Sequence, residues 1–383
     1  MRVKFGDIVK DVKENVDRSN NPYKFYVAGD HMDSEDFRIH RFGRFATDDV
    51  GPAFVRIFHP GQILYGSRRT YLKKVCVADF EGITANTTFV LETKDETVLM
   101  QKLLPFLMLS KGFTDWSIKH SKGSTNPYVL FSDLASYEFD LPPLERQKEL
   151  AELLWAANDL KESYKKMIIA TDEMLKAKFR EMFGECGRES AKGAGDKVIH
   201  DCQIVPLSEV GVISTGSTPS MKNRVYYENH DIPFYKPSDF SHELTSLDCS
   251  EFWLDARAER KVRMFHEGAV LVTCIGTIGR VGIAKRSGTC NQQINFIEPN
   301  ESVYSIFLAH ALQMMGEALS DKAKTSVVPI INKGEFSRIK IPLPPLSLQQ
   351  EFVTIARKAD ETKAALKQSI ADVEQVIKGL INE

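Results

Sequence analysis

F-D-L-P-P-L-E-R-Q-K-E-L occupies residues 139–150, and I-P-L-P-P-L-S-L-Q-Q-E-F occupies 341–352. The two stretches are one motif written twice, Leu141 falling on Leu343 and Gln147 on Gln349, an offset of 202 residues. The same offset carries Val3, Phe5 and Ile8 onto Val205, Leu207 and Val210, and Ser124, Pro127 and Tyr128 onto Ser326, Pro329 and Ile330. In between it widens to 207, where G-Q-I-L (61–64) meets G-A-V-L (268–271) and Phe89 and Val90 meet Phe296 and Ile297. An offset that opens and closes again means two copies of one domain with compensating loop insertions.

The segment after each Pro-Pro differs in kind from the one before it. No proline or glycine occurs between Leu144 and Gly184, nor between Leu346 and Gly379. Apolar residues recur there at alternating three- and four-residue steps, which predicts a helix with one apolar seam. In the first run the seam reads Leu150, Leu153, Ala157, Leu160, Tyr164, Met167, Thr171 and Met174. In the second it reads Phe352, Ile355, Ala359, Thr362, Leu366, Ser369, Val373 and Val376, again 202 residues on. Helices of about 35–40 residues are roughly 50–60 Å long at 1.5 Å per residue, longer than a domain of ordinary size. They need a partner along most of their length. The simplest partner is the other copy, paired antiparallel. Thr171, Thr362 and Ser369 at seam positions predict that helices from another protein complete the bundle.

The expected organisation is therefore a first globular domain over 1–140, a helix over 141–183 and a small-residue linker over 184–199. A second domain over 200–342 comes next, and a closing helix over 343–383 ends the chain. Short β-rich runs at 75–78, 87–91, 269–273 and 294–297, with helices near 97–110 and 302–320, make each domain mixed α+β on a curved, mostly antiparallel sheet. The fold class is α+β, two such domains separated by two long antiparallel helices with pseudo-two-fold repetition.

Composition sets the outer limits. With 43% hydrophobic and 27% charged residues and a net charge of −2, the chain is an ordinary globular one without a uniformly basic coat. Basic and acidic residues number 19 and 19 in 1–140, and 15 and 16 in 200–342, so any polyanion-binding charge must be segregated by face. No apolar run has signal-peptide or membrane-spanning length. The six cysteines, Cys76, Cys186, Cys202, Cys249, Cys274 and Cys290, form no C-x-x-C pair and are expected as reduced thiols in the cytosol, without a disulfide or a metal.

The common catalytic signatures are missing. There is no G-x-x-x-x-G-K-[ST], no G-x-S-x-G and no H-E-x-x-H. G-T-I-G-R-V-G (276–282) leads into I-A-K and reads as a tight turn between strands. T-N-P-Y-V (125–129) lacks one proline of an adenine-methyltransferase loop, and its counterpart S-V-V-P-I shares neither the asparagine nor the aromatic. Two repeated domains without catalytic chemistry bind more often than they react. No catalytic residue is expected.

These features together resemble the DNA-specificity subunit of type I restriction–modification enzymes. The resemblance rests on the doubled L-P-P-L-x-x-Q leading into a long helix, the G-S-T-P turn (216–219), I-P-F-Y-K-P-S-D (232–239), G-A-V-L with G-T-I-G after it, and N-Q-Q (291–293). It covers the whole chain in its order of parts, although the first copy lacks G-S-T-P and has R-R-T-Y (68–71) in place of G-T-I-G. It implies a non-catalytic subunit whose two target-recognition domains each read one half of a bipartite double-stranded DNA target. The helices would set the spacer and dock two methyltransferase subunits carrying S-adenosylmethionine, with ATP-dependent restriction subunits joining them. Divergent copies imply an asymmetric target. The partner helices would use Leu150, Leu153, Leu160, Tyr164, Met167, Phe352, Ile355, Leu366, Val373 and Val376. The rival reading is a coiled-coil adaptor between proteins that binds no DNA.

Side-chain chemistry singles out the candidate DNA-binding residues. Arg68, Arg69, Lys73 and Lys74 fall in a connecting loop that aligns with 275–281 of the second copy. Arginine there could bridge guanine O6 and N7, and lysine could neutralise phosphate. Arg280 offers similar chemistry in the second copy. Asn291, Gln292 and Gln293 carry amides suited to adenine, and Ser217, Thr218 and Lys236 lie in the resembling turns. Clusters at Arg38, Arg41 and Arg44 and at Arg257, Arg260, Lys261 and Arg263 read as solvated faces. Tyr226, Tyr227, Phe234 and Tyr235 read as core.

Overall fold

A computed structural model describes residues 1–184, 186, 202–316 and 330–382. It divides into two compact units, one of Met1–Lys166 with Leu366–Glu383 and the other of Met167–Ala365. Most of the linker expectation at 184–199, and the positions of Ser326 and Pro329, lie outside the described residues.

In unit 1, Val9–Asp11, Thr88–Thr93, Ile63–Gly66 and Val75–Val77 pair in that order into one four-stranded sheet. Gly43–Arg44, Phe25–Val27, Gly82–Ala85 and Phe54–Phe58 form a second. Arg2–Lys4 pairs antiparallel with Glu138–Asp140, closing the domain just before its Pro-Pro. Unit 2 repeats this wiring. Gly211–Thr215, Ile294–Pro299, Val270–Thr273 and Val281–Ala284 pair in the same order, with Thr245–Leu247 added at the edge. Trp253–Leu254, Ile232–Tyr235, Gly288–Cys290 and Met264–Phe265 form the second sheet, and Gln203–Pro206 pairs with Lys340–Leu343. Leu64 faces Val90 and its counterpart Leu271 faces Phe296, one residue short of Ile297, the counterpart of Val90, so the two copies share the strand pairing with a register one residue apart. The pairing is mostly antiparallel as expected, but each domain has two small sheets in place of one. Parallel pairs occur, such as Phe25–Val27 with Gly82–Ala85 in domain 1 and Ile232–Tyr235 with Gly288–Cys290 in domain 2.

The helices run Leu144–Phe183 and Leu346–Asn382. In unit 2 Asp172 meets Lys363 and Phe179 meets Phe352, so the helices there are antiparallel. In unit 1 Lys161 points to Glu374, while Leu154 and Ile377 share a core. The rings of Phe179, Phe183, Phe307 and Phe352 pack with centroids 5.0–6.3 Å apart and fix the helices to domain 2. Phe37, Phe106 and Trp155 do the same for domain 1.

The glutamine of the repeated motif explains itself. Gln147 Nε2 donates to Val98 O at 2.8 Å and Pro142 O at 3.0 Å, and its Oε1 accepts from Met100 N. Gln349 Nε2 donates to Ser302 O and Pro344 O, and its Oε1 accepts from Tyr304 N. Both side chains are buried, so their amides are satisfied by these backbone groups and not by water. The glutamine rivets its helix to its own domain.

Two expectations are corrected. On the first helix the buried stripe is Gln147, Ala151, Leu154, Asn158, Lys161, Ile168, Leu175 and Phe179. The expected seam is therefore not where the helices meet: Leu153, Leu160, Met167 and Met174 are 43–52% exposed. On the second helix Phe352, Ala359 and Leu366 are buried as expected, but Val376 is exposed and Ile377 takes its place. Leu150, Tyr164, Ile355 and Val373 are half-buried. The burial of Asn158, Lys161 and Glu162 broke the apolar pattern that the seam was read from. Second, Cys186 and Cys202 are joined in a disulfide, with Cα atoms 5.3 Å apart, where free thiols were expected. The end of the first helix and the start of strand Gln203–Pro206 bring them together, a closeness that a 16-residue separation does not announce.

Candidate nucleic-acid interface

Strand directions collect most of the candidate residues at one end of the first-described sheet of each domain. In domain 2, Gly211–Thr215 and Val270–Thr273 end where Ile294–Pro299 begins. The 216–218, 274–280 and 291–293 turns therefore share one edge. In domain 1, Ile63–Gly66 ends and Val75–Val77 and Thr88–Thr93 begin at the equivalent edge, which carries 67–74.

The domain 2 edge is tightly wired. Gly216 is required there, since a Cβ would lie 2.2 Å from Asn291 O and 2.4 Å from Cys290 O. Ser217 N donates to Cys290 O at 2.8 Å, and Ser217 Oγ accepts from Arg263 N at 2.9 Å. Thr218 Oγ1 donates to Gln292 Oε1 at 2.5 Å, leaving the exposed Gln292 with a free amide NH₂. Arg263 Nη1 donates to Thr215 O, which adds to this edge an arginine that the sequence had placed on a solvated face. Asn291 Nδ2 donates to Gln293 Oε1 and its Oδ1 accepts from Gln293 N, so this pair serves the turn itself. Lys236 Nζ sits 3.0 Å from the Phe252 ring centroid, a cation–π contact. Arg280 leans to the side, its Nη1 donating to Phe240 O at 2.8 Å.

The four basic residues of domain 1 divide. Lys73 Nζ is held by Glu35 at 2.8 Å and Lys74 Nζ donates to Gly29 O, so both stabilise the loop. Arg68 and Arg69 are exposed and have no ion pair among the described residues. Their backbone is fixed: Arg68 bridges to Tyr128, and Arg69 N donates to Pro127 O at 2.6 Å. Arg69 and Lys73 both have left-handed φ, 49° and 48°, about a short 3₁₀ turn, a local strain of the order of 1 kcal/mol that the surrounding bonds hold in place. T-N-P-Y-V thus serves as the clamp on this loop.

Tyr235 and Phe234 are buried, and burial pushes the Tyr235 hydroxyl up to about 12 while it donates to Leu247 O. They are core residues, unavailable to a base. Among the described residues Asp36, His40 and Glu162 stand close enough to share a metal ion. Lys165 Nζ lies 2.9 Å from both Asp36 Oδ2 and Glu162 Oε1, so a lysine already holds the cation position. Burial opposes the Asp36 charge, but the Arg38 N–H and the Lys165 ammonium keep its carboxyl below the usual range.

Two domains of one wiring, each presenting a distinct polar edge, match a known family. The type I restriction modification DNA specificity domain family matches residues 13–168 and 199–375, one match per copy. The chain belongs to this family. As a specificity subunit it is the non-catalytic, DNA-recognising component of a type I restriction–modification enzyme. It is 21% identical to the HindI specificity subunit of Haemophilus influenzae over 92% of both chains. To the MjaIX specificity subunit of Methanocaldococcus jannaschii it is 30% identical over 43% of this chain and 39% of that one. In fold it is similar to a chain from a solved type I restriction–modification system, with a TM-score of 0.60 at 20% identity over 100% and 96% of the two chains. A type I S subunit from M. genitalium gives a TM-score of 0.55 at 14% identity over 100% and 94%. Among the described residues no helix of the specificity subunit is long and apolar enough to cross a membrane.

Proposed function

We propose that each domain of the specificity subunit reads one half of an asymmetric bipartite duplex target, through the sheet edge carrying Arg68 and Arg69 in domain 1 and that carrying Ser217, Thr218, Gln292 and Arg263 in domain 2. One observation carries this reading. The frame is repeated to the level of the Gln147 and Gln349 bonds, while the side chains on the edge differ completely. A shared frame with unlike edges is what two different half-sites need. Arg68 and Arg69 are free to reach guanine O6/N7 or phosphate, and the Gln292 amide can donate to a base edge. Lys73, Lys74, Asn291 and Gln293 position these groups from behind.

The two long helices set the distance between half-sites and dock two methyltransferase subunits. The exposed apolar positions Leu153, Leu160, Met167 and Met174 support this, since they recur every seven residues and are left uncovered by the chain's own helices. S-adenosylmethionine belongs to the methyltransferase subunits and ATP to restriction subunits, all in the cytoplasm. The methyltransferase takes the target adenine out of the stack, so the specificity subunit needs to supply position only. The test is adenine-methylation sequencing of host DNA with and without this gene, the partner methyltransferase intact. Loss of methylation from one asymmetric two-part motif is the expected result. An unchanged methylome with both proteins expressed would favour a protein-only adaptor.

A further inference from the structure

Unit 2 holds a second basic feature, apart from the Ser217–Gln292 cluster. The last turns of Leu144–Phe183, the Gly276–Gly279 turn and the end of helix Ser305–Met314 enclose a cleft of about 520 Å³. That is within the size range of small-ligand sites. Lys176, Arg180, His242 and Arg280 line it, with Thr277 and Gln313, and among the described residues no carboxylate stands on its wall. Its floor is close-packed: Gly279 has φ +84° and a Cβ there would lie 2.7 Å from Gly316 O, so turn and helix meet backbone to backbone.

The cations are poorly compensated. Arg180 is exposed and has no ion pair among the described residues. Lys176 has only Glu173 of its own helix, at 3.5 Å and largely in water, a pair worth little. The Arg280 guanidinium is aimed by Phe240 O and is 3.4 Å from His242 Nε2, and its Nε is buried without a hydrogen-bond partner. A smaller pocket of about 190 Å³ adjoins the cleft, sharing Lys176, His242 and Gln313. On its wall is His310, 93% buried, whose Nε2 also has no partner. Its carboxylates do not neutralise the cleft, because Asp172 is engaged by Lys363 and Glu243 also has a partner. Three cations on one wall, offset among the described residues only by the weak Glu173 pair, repel one another, and buried polar atoms without partners carry a cost that a ligand can remove.

We propose that this cleft is a phosphate-binding site, in which Arg280, Lys176 and Arg180 neutralise the anion and the inner pocket ending on His310 takes the polar group attached to it. The phosphate comes either from the DNA backbone flanking the domain 2 half-site, a source that rests on the function proposed above, or from a free phosphorylated small molecule, which does not. Contacts of this kind are indifferent to base sequence.

The test uses the full chain, as wild type and as the double variant K176Q/R180Q, whose exposed helix positions accept glutamine readily. Calorimetric titration with inorganic phosphate should show binding weakened at least tenfold in the double variant, and unchanged in K261Q as a control. In complex with the methyltransferase, DNA affinity is measured against salt on cognate and scrambled duplexes. If DNA is the source, the log–log slope falls by about 2 on both duplexes while their affinity ratio stays the same. An unchanged slope with lost phosphate binding assigns the site to a free ligand. Phosphate binding and salt slope both unchanged, or a wild type that binds no phosphate and keeps the variant's slope, would overturn the proposal. A wild-type complex that prefers no duplex defeats the DNA-reading function instead, and the phosphate titration still decides the cleft.

Discussion

Lys363 Nζ lies 2.8 Å from Asp172 Oδ1 across the two helices of unit 2, and its counterpart 202 residues earlier, Lys161, points at Glu374, the counterpart of Asp172, at 3.9 Å in unit 1. One ionic contact has been written twice, like the motif that precedes each helix. Lys161 is buried and Lys363 half-buried, on a seam that would gain more stability from leucine. Lys363 keeps Asp360 of its own helix, at 3.1 Å, in any register, but a slipped pairing would leave the facing carboxylate without its cation, which makes these lysines register pins.

The two pins differ in strength. Lys363→Met leaves Asp172 half-buried without its cation and should cost about 2–4 kcal/mol. Lys161→Met frees only the more exposed Glu374 and should fall within about 1 kcal/mol of wild type. Thermal unfolding with hydrogen exchange over 346–365 separates the two. Equal losses would show that the lysine stems, not the charges, matter at this seam.

Gln147→Leu and Gln349→Leu each leave two carbonyls and one N–H, most of them part-buried, without their side-chain partner, at about 2 kcal/mol apiece. The repeat predicts near-equal losses. Exchange protection should fall first at the domain residues each glutamine holds, 98–100 and 302–304 respectively. If protection there is kept, the helix is held by its apolar contacts alone.

How much of this was legible in the sequence depends on which groups carry the pattern. The doubled L-P-P-L-x-x-Q revealed the repeat, the helices and the family because proline, leucine and glutamine have fixed tasks there: stop the strand, start the helix, satisfy a buried backbone. The seam was missed because Asn158, Lys161, Glu162 and Asp172 put polar atoms where periodicity looks for carbon. At the edge, the loops could be placed by alignment, but nothing in R-R-T-Y-L-K-K says that Glu35 and Gly29 claim the two lysines and leave the two arginines. Nothing local to their helix marks Lys176 and Arg180, which come to share a cleft with the Gly276–Gly279 turn only in the fold.

That division of Arg68 and Arg69 from Lys73 and Lys74 is testable. Arg68→Glu with Arg69→Glu should leave methyltransferase binding and thermal stability unchanged, while methylation of the cognate site falls by tenfold or more. Lys73→Gln should instead lower stability slightly, with specificity kept. Joint loss of assembly and methylation in the arginine variant would make those residues structural.

Cys186→Ser removes the disulfide that closes a loop of 16 residues. Chain entropy assigns such a closure about 3 kcal/mol. Under oxidising conditions the variant should therefore unfold several degrees below wild type, and in excess reductant the two melts should coincide. A gap that persists in reductant would mean that the thiol's packing, not the bond, stabilises this corner.

The last prediction concerns acid. The His310 ring is buried edge-on against Phe352, 5.3 Å between centroids. Burial pushes its pKa down to about 4; Asp360 and Asp172 oppose the shift and Lys363 adds to it. In the unfolded chain the group titrates near 6.5, so between about 6.5 and 4 the unfolded state binds the proton and the folded state does not. The stability this histidine contributes is complete above about 6.5 and drains away as pH falls through that window, reaching roughly 2 kcal/mol lost at pH 5. His310→Phe keeps the ring contact and removes the titration. Relative to wild type its melting temperature should therefore rise on going from pH 7.5 to pH 5, by about 4–8 °C. Parallel melting curves across that range would show that the imidazole titrates alike in the folded and unfolded protein, so that burial does not hold it neutral.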